Sequence, residues 1–116
     1  MGHEVRGEVR PAELDAATAK TVAETLQALT APSRLLILGR LRHGPASVGE
    51  LVDATGMTQS AVSHQLRLLR HLGLVEGDRQ GRTITYSLYD NHVAELLDQA
   101  VYHTEHLRLS QRDAPA

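Results

Sequence analysis

The stretch SVGELVDATGMTQSAVSHQLRLLR, residues 47–70, decides the fold. Ser47-Val-Gly-Glu50 has the Ser-x-x-Glu spacing of a capping box, in which hydroxyl and carboxylate satisfy the free N–H groups at a helix start. Gly56-Met57 breaks this short helix, and a second begins at Thr58. A short helix, a tight glycine turn and a second helix outline a helix-turn-helix. In the second helix Val62, Leu66 and Leu69 follow i, i+4, i+7 spacing and are predicted to point inward. Gln59, Ser60, Ser63, His64 and Arg67 then form the outer face. Their small or forked hydrogen-bonding groups suit base edges, and Arg67 suits guanine or phosphate.

Past Gly73 the period changes from helical to alternating. Leu74-Val75-Glu76 and Thr83–Leu88 read as two strands, the second placing Ile84, Tyr86 and Leu88 on one face. The link Gly77-Asp78-Arg79-Gln80-Gly81-Arg82 reads as a glycine-bounded hairpin tip. Arg79 and Arg82 on a hairpin that follows a helix-turn-helix are placed to touch a phosphate backbone, as a wing does. With only three tyrosines and no Phe or Trp, the chain has no aromatic platform for single-stranded bases, so duplex DNA is the expected partner.

Upstream, Leu14, Val22, Leu26 and Leu29 mark an amphipathic helix from about Glu13 to Leu29. Pro32 suits the first turn of a second helix running to about Arg42, with Leu35, Leu36, Leu38 and Leu41 inward. Residues 1–12 mix Gly, Pro and charge without periodicity and read as a flexible tail.

Downstream, Asp90 suits the cap of a helix from Asn91 to about Leu107, whose stripe is Val93, Leu96, Leu97, Ala100, Val101 and Leu107. Three of the seven histidines lie on it. At about 100° per residue, His92, His103 and His106 fall within an arc of about 60° beside the apolar stripe. His103 and His106, at i and i+3, suit one metal ion, and Asp90 with His92 offers a carboxylate and another imidazole. That donor set suits zinc, nickel or cobalt. One helix cannot complete the site, because His92 and His103 are about 16 Å apart along the axis. An antiparallel second copy would bring Asp90 and His92 of one chain beside His103 and His106 of the other, giving two equal sites per homodimer. Residues 108–116 read as a flexible C-terminal tail.

The 116 residues fit one domain, 13–107, that is mainly α with a β-hairpin: a winged helix-turn-helix, homodimeric through its terminal helices. Absence of cysteine excludes disulfides and thiolate metal sites. The net charge is -2, yet residues 34–82 carry seven Arg against four acids, so the middle of the chain is the basic part. No signal peptide or membrane-length apolar run is visible, so the expectation is a cytoplasmic protein with no membrane partner. Three histidines and a carboxylate also suit catalytic zinc. No general base stands beside them, however, and an enzyme is not expected.

The motifs TQSAVSHQLRLLR (58–70), YSLYD (86–90) and D-x-H…H-x-x-H (90–106) together resemble the ArsR/SmtB family of metal-sensing repressors, over about residues 14–107. The resemblance implies a winged-helix homodimer that represses an efflux or sequestration operon and leaves its double-stranded operator when metal binds. It implies the same ligands, Asp90, His92, His103 and His106. It also implies a hydrogen-bond link from His103 towards Gln59 and the backbone near Gly73. Within the family, the Met-Gly-His start, the LQALxxPSRL run and the YHxEHL ending look like the nickel- and cobalt-sensing members of actinobacteria. Once the initiator Met is removed, as a small second residue usually allows, that likeness implies Gly2 and His3 as further ligands to Ni(II) or Co(II), through the α-amine and imidazole. The histidines those members carry beyond the last helix are absent here. A Zn(II) sensor using only the four helix ligands therefore stays open.

Overall fold

The computed structural model describes residues 11–113, and Gly2 and His3 lie outside them. Helix α1 spans Ala16–Gln27 and continues as a 3-10 turn, Ala28–Thr30; α2 spans Pro32–Leu41. A two-residue strand β1, Ala46–Ser47, leads into α3, Val48–Thr55, and then α4, Gln59–His71. Strands β2, Val75–Gln80, and β3, Thr83–Leu88, precede the long α5, Asn91–Asp113.

Local chemistry sets these boundaries. The capping box is complete: Ser47 Oγ accepts from the Glu50 N–H at 3.2 Å, and Glu50 Oε1 accepts from the Ser47 N–H at 2.9 Å. Gly56 ends α3 with φ +75°, a left-handed conformation that costs other residues a Cβ clash. Thr58 Oγ1 accepts from the Ala61 N–H and starts α4. At the far end of α4, Gly73 also has φ +75°. The Leu74 N–H donates to Leu69 O and the Gly73 N–H to Arg70 O, closing the helix as a Schellman motif.

The core is aliphatic and small. Ile37, Leu38 and Leu41 of α2, Leu51 of α3, and Val62, Leu66 and Leu69 of α4 meet Leu74 and Val75 at the start of the hairpin. Val93 and Leu97 close one edge from α5. The predicted inward face of α4 is therefore the buried one. That of α2 needs correction: Leu35 and Leu36 are 41% and 54% exposed, while Ile37 is fully buried. At about 100° per residue, Ile37, Leu38 and Leu41 share one arc, which leaves Leu36 on the opposite side.

Two further expectations change. The sheet has three antiparallel strands in the order β1-β3-β2, because Ala46 and Ser47 pair with Tyr86 and Thr85. The hairpin arms also extend through the supposed tip. Gly77, Asp78, Arg79 and Gln80 pair with Tyr86, Thr85, Ile84 and Thr83, and only Gly81-Arg82 turns. Gly77 is needed for close packing across the strands rather than for a turn. A Cβ there would lie 3.1 Å from Ile84 Cγ2 and 3.2 Å from Tyr86 Cε1.

The terminal helices stand apart from the core. No residue of α1 is buried, and Leu14, Val22 and Leu26, which marked the expected amphipathic helix, are exposed. Helix α1 starts at Ala16, where Asp15 Oδ1 accepts from the Thr18 N–H at 2.8 Å, later than the sequence suggested. Helix α5 continues to Asp113, through residues read as a tail, since nothing between Arg108 and Asp113 breaks a helix.

Leu66→Ala is expected to lower unfolding stability by about 2–5 kcal/mol and Gly56→Ala by about 1–2 kcal/mol, both measured by urea denaturation.

Candidate nucleic-acid interface and histidine face

Burial of Val62, Leu66 and Leu69 turns the opposite side of α4 outward. Gln59, Ser60, His64 and Arg67 are exposed there and Ser63 is half-buried. Arg70 and His71, which the sequence reading passed over, are exposed on the last turn. At about 100° per residue Arg70 falls in line with Gln59 and Ser63, and that phase was the available signal. Arg79 projects from β2 rather than from a loop, and Arg82 sits in the turn beyond it. Both are exposed, and Arg79 makes only a long 3.5 Å bond to Gly81 O. The guanidinium groups on this edge are available to phosphates.

The second constellation lies on α5. Asp90 caps the helix, Oδ1 accepting from the Val93 N–H at 3.2 Å, while Oδ2 lies 3.2 Å from Nδ1 of His92. The His92 hydrogen bond, with the Val93 N–H, holds the Asp90 carboxyl below the usual carboxylate range. The imidazole of His92 is 90% exposed. His103 and His106 are exposed further along the same helix. Among the described residues, no three His, Asp or Glu side chains of one chain converge on a point. The structure thus brings Asp90 and His92 together and leaves His103 and His106 apart from them, as the axial separation requires. Gln59 and Gly73 are also exposed in the single chain, Gln59 at the start of α4 and Gly73 just past its end.

Around the histidines, α5 also exposes apolar side chains. Val101 and Tyr102 are 54% and 60% exposed, and Leu107 and Leu109 are exposed beyond them. A groove of about 600 Å³ runs between α2 and α5, lined by Leu35, Arg42, Leu97, Asp98, Val101 and Tyr102. Sequence reasoning missed the ion pair at its edge. Arg42 Nε donates to Asp98 Oδ1 at 3.0 Å and Nη2 to Oδ2 at 2.9 Å, which holds the Asp98 carboxyl below its ordinary range.

A capped helix-turn-helix with its polar face outward and an arginine-bearing hairpin at its side defines a winged-helix DNA-binding regulator. Residues 31–77 match the family model described as bacterial regulatory protein, arsR family. The chain is 64% identical over 114 residues to the HTH-type transcriptional regulator NmtR of Mycobacterium tuberculosis, covering 97% of this chain and 95% of that one. The chain belongs to the arsR family of bacterial regulatory proteins. Among solved structures, the solution structure of apo-NmtR is similar with a TM-score of 0.72 and 62% identity, covering 99% of this chain and 98% of that one. A homodimeric winged helix-turn-helix DNA-binding domain from Mycobacterium bovis is similar with a TM-score of 0.73 and 32% identity, over 87% of this chain and 93% of that one.

Arg79→Ala and Arg82→Ala are each expected to weaken binding to duplex DNA about equally for all sequences. Each should reduce the slope of log K against log salt by about 1, measured by anisotropy titrations at several salt concentrations.

Proposed function

We propose that this chain is a cytoplasmic, metal-responsive repressor that binds operator DNA as a homodimer and is released by Ni(II) or Co(II), controlling a metal efflux or resistance gene. The observation that carries the reading is the layout of α5. A carboxylate–imidazole pair sits at its start and two imidazoles lie further along, on a helix whose apolar side the chain leaves exposed. Two such helices packed antiparallel would cover each other's apolar side and set each Asp90–His92 pair beside His103 and His106 of the partner subunit. The donor set fits the ion: neutral imidazoles and a carboxylate suit nickel, cobalt and zinc, and the chain has no thiolate to compete. A bound ion would supply one thing, a tie between the two α5 helices.

The protein's own groups do the rest. Gln59, Ser60, Ser63, His64 and Arg67 would read base edges in the major groove, with Arg79 and Arg82 on the flanking phosphates. Both recognition helices must meet half-sites about 34–36 Å apart, so an α5 pairing that changes their separation weakens operator binding. By thermodynamic reciprocity, operator weakens metal binding by the same factor. The link from His103 towards Gln59 and the backbone near Gly73 belongs to this proposal. With the initiator Met removed, Gly2 and His3 would add an amine and an imidazole to a six-coordinate site. Homology to transcriptional regulators supports a regulator rather than an enzyme. Among the described residues, no helix is long and apolar enough to cross a membrane.

A second reading has its own support. Helix α5 runs on to Asp113 without another histidine, which leaves four helix ligands, the number a tetrahedral Zn(II) site needs.

Operator binding followed by fluorescence anisotropy, with Ni(II), Co(II) and Zn(II) each added to the full chain and to a variant lacking residues 2–3, separates these readings. Release by nickel or cobalt that the truncation abolishes is expected. Equal release by zinc with and without residues 2–3 would establish the four-ligand reading instead. His103→Ala should bind operator as the unaltered chain does yet lose metal-induced release; loss of DNA binding without metal would reassign His103 to folding.

A further inference from the structure

Helix α2 touches every moving part of the proposed switch. Near its C-terminal end Arg42 grips Asp98 of α5 with both arms of its guanidinium, at 3.0 and 2.9 Å. Near its N-terminal end Arg34 Nε donates to Gln65 Oε1 of α4 at 2.9 Å. Its Nη1 lies 3.4 Å from the carbonyl oxygen of Ala28 and 3.5 Å from that of Gln27, where α1 ends. The two arginines are eight residues apart, about 12 Å along the axis. Between them Ile37, Leu38 and Leu41 are locked in the core, so α2 moves with the domain as a rigid rod. Helix α1 buries nothing of its own, and among the described residues of α5 the buried ones are Val93 and Leu97. Side chains so sparsely packed leave the angle of these helices open, and directed polar forks can fix it.

We propose that α2 is a strut that sets the recognition helix at a fixed angle to the dimerising helices, with Arg42 as its joint to α5 and Arg34 as its joint to α1 and α4. Both are positioning residues and touch neither DNA nor metal. Arg34 joins three elements through one planar group, and a lysine, with a single ammonium on a flexible stem, cannot span them. This inference rests on the homodimer proposed above.

The first readout needs no metal. The operator obtained by in vitro selection with the unaltered chain is compared with versions carrying one base pair inserted or deleted between half-sites. Sedimentation confirms the oligomeric state, and circular dichroism confirms folding. The unaltered dimer should lose at least about tenfold in affinity on the altered spacings, because its reading heads are held at one separation. Arg34→Lys, Gln65→Leu and Arg42→Lys should remain folded dimers and bind the selected operator within about threefold of the unaltered chain. They should discriminate against the altered spacings by less than about threefold. Arg34→Lys combined with Gln65→Leu should do no more than either alone, as expected for two partners in one contact. In a second readout, metal-induced release should shrink in the same variants.

Variants that fold, dimerise and discriminate as strongly as the unaltered chain would overturn the strut alone. So would variants that lose affinity equally for every spacing, since that marks a direct DNA contact. An unaltered chain that is monomeric by sedimentation would bring down the homodimer and the strut together, whereas an unaltered dimer indifferent to spacing would overturn the strut alone.

Discussion

The structure depends on how little this chain has to bury. With no Phe or Trp, its interior is a cluster of Ile, Leu, Val and Ala centred on Leu38, Leu51 and Leu66. A cluster of that size orients α2, α3, α4 and the hairpin, but it cannot also cover two terminal helices. Helix α1, and most of α5 with His92, His103 and His106, are therefore left outside with apolar side chains exposed. A fuller core would have settled α1 and α5 within one chain.

Division of labour follows from this. The interior faces of α4 and the sheet are fixed by packing, so the outward side chains of Gln59, Arg67 and Arg82 sit on a rigid platform. The α5 histidines sit instead on a helix with two buried contacts, Val93 and Leu97, and one ion pair. An exposed ion pair stabilises a fold by little, typically about 0–1 kcal/mol. Geometry rather than strength gives Arg42 its interest: a planar fork on a carboxylate restricts direction as well as distance.

Much of the architecture was legible where the signal is local. Ser47 with Glu50, Thr58, Gly56 and the Val62–Leu66–Leu69 row each announce a cap, a stop or a face within a few residues. The run Leu35-Leu36-Ile37-Leu38 was ambiguous because four successive apolar residues fit every helical phase, and only the partner surface selects one. Gly77-Asp78-Arg79-Gln80 carry turn-forming residue types, but pairing with Ile84, Thr85 and Tyr86 overrides that preference, as strand propensity commonly yields to context. The bonds from Arg34 to Gln65 and Arg42 to Asp98 join residues 31 and 56 positions apart and leave no periodic trace. The residues of the proposed metal site could be named from spacing, but within one chain Asp90 and His92 do not meet His103 and His106.

The continuation of α5 to Asp113 has a kinetic consequence. Leu107, in phase with Leu96 and Ala100 at about 100° per residue, carries the exposed apolar side past His106. In the antiparallel pairing the histidines would then lie within the seam, with aliphatic contacts on both sides of them, rather than at its frayed end. An ion held there would exchange at the rate at which the seam opens, so the repressor would keep a memory of exposure after free metal has fallen.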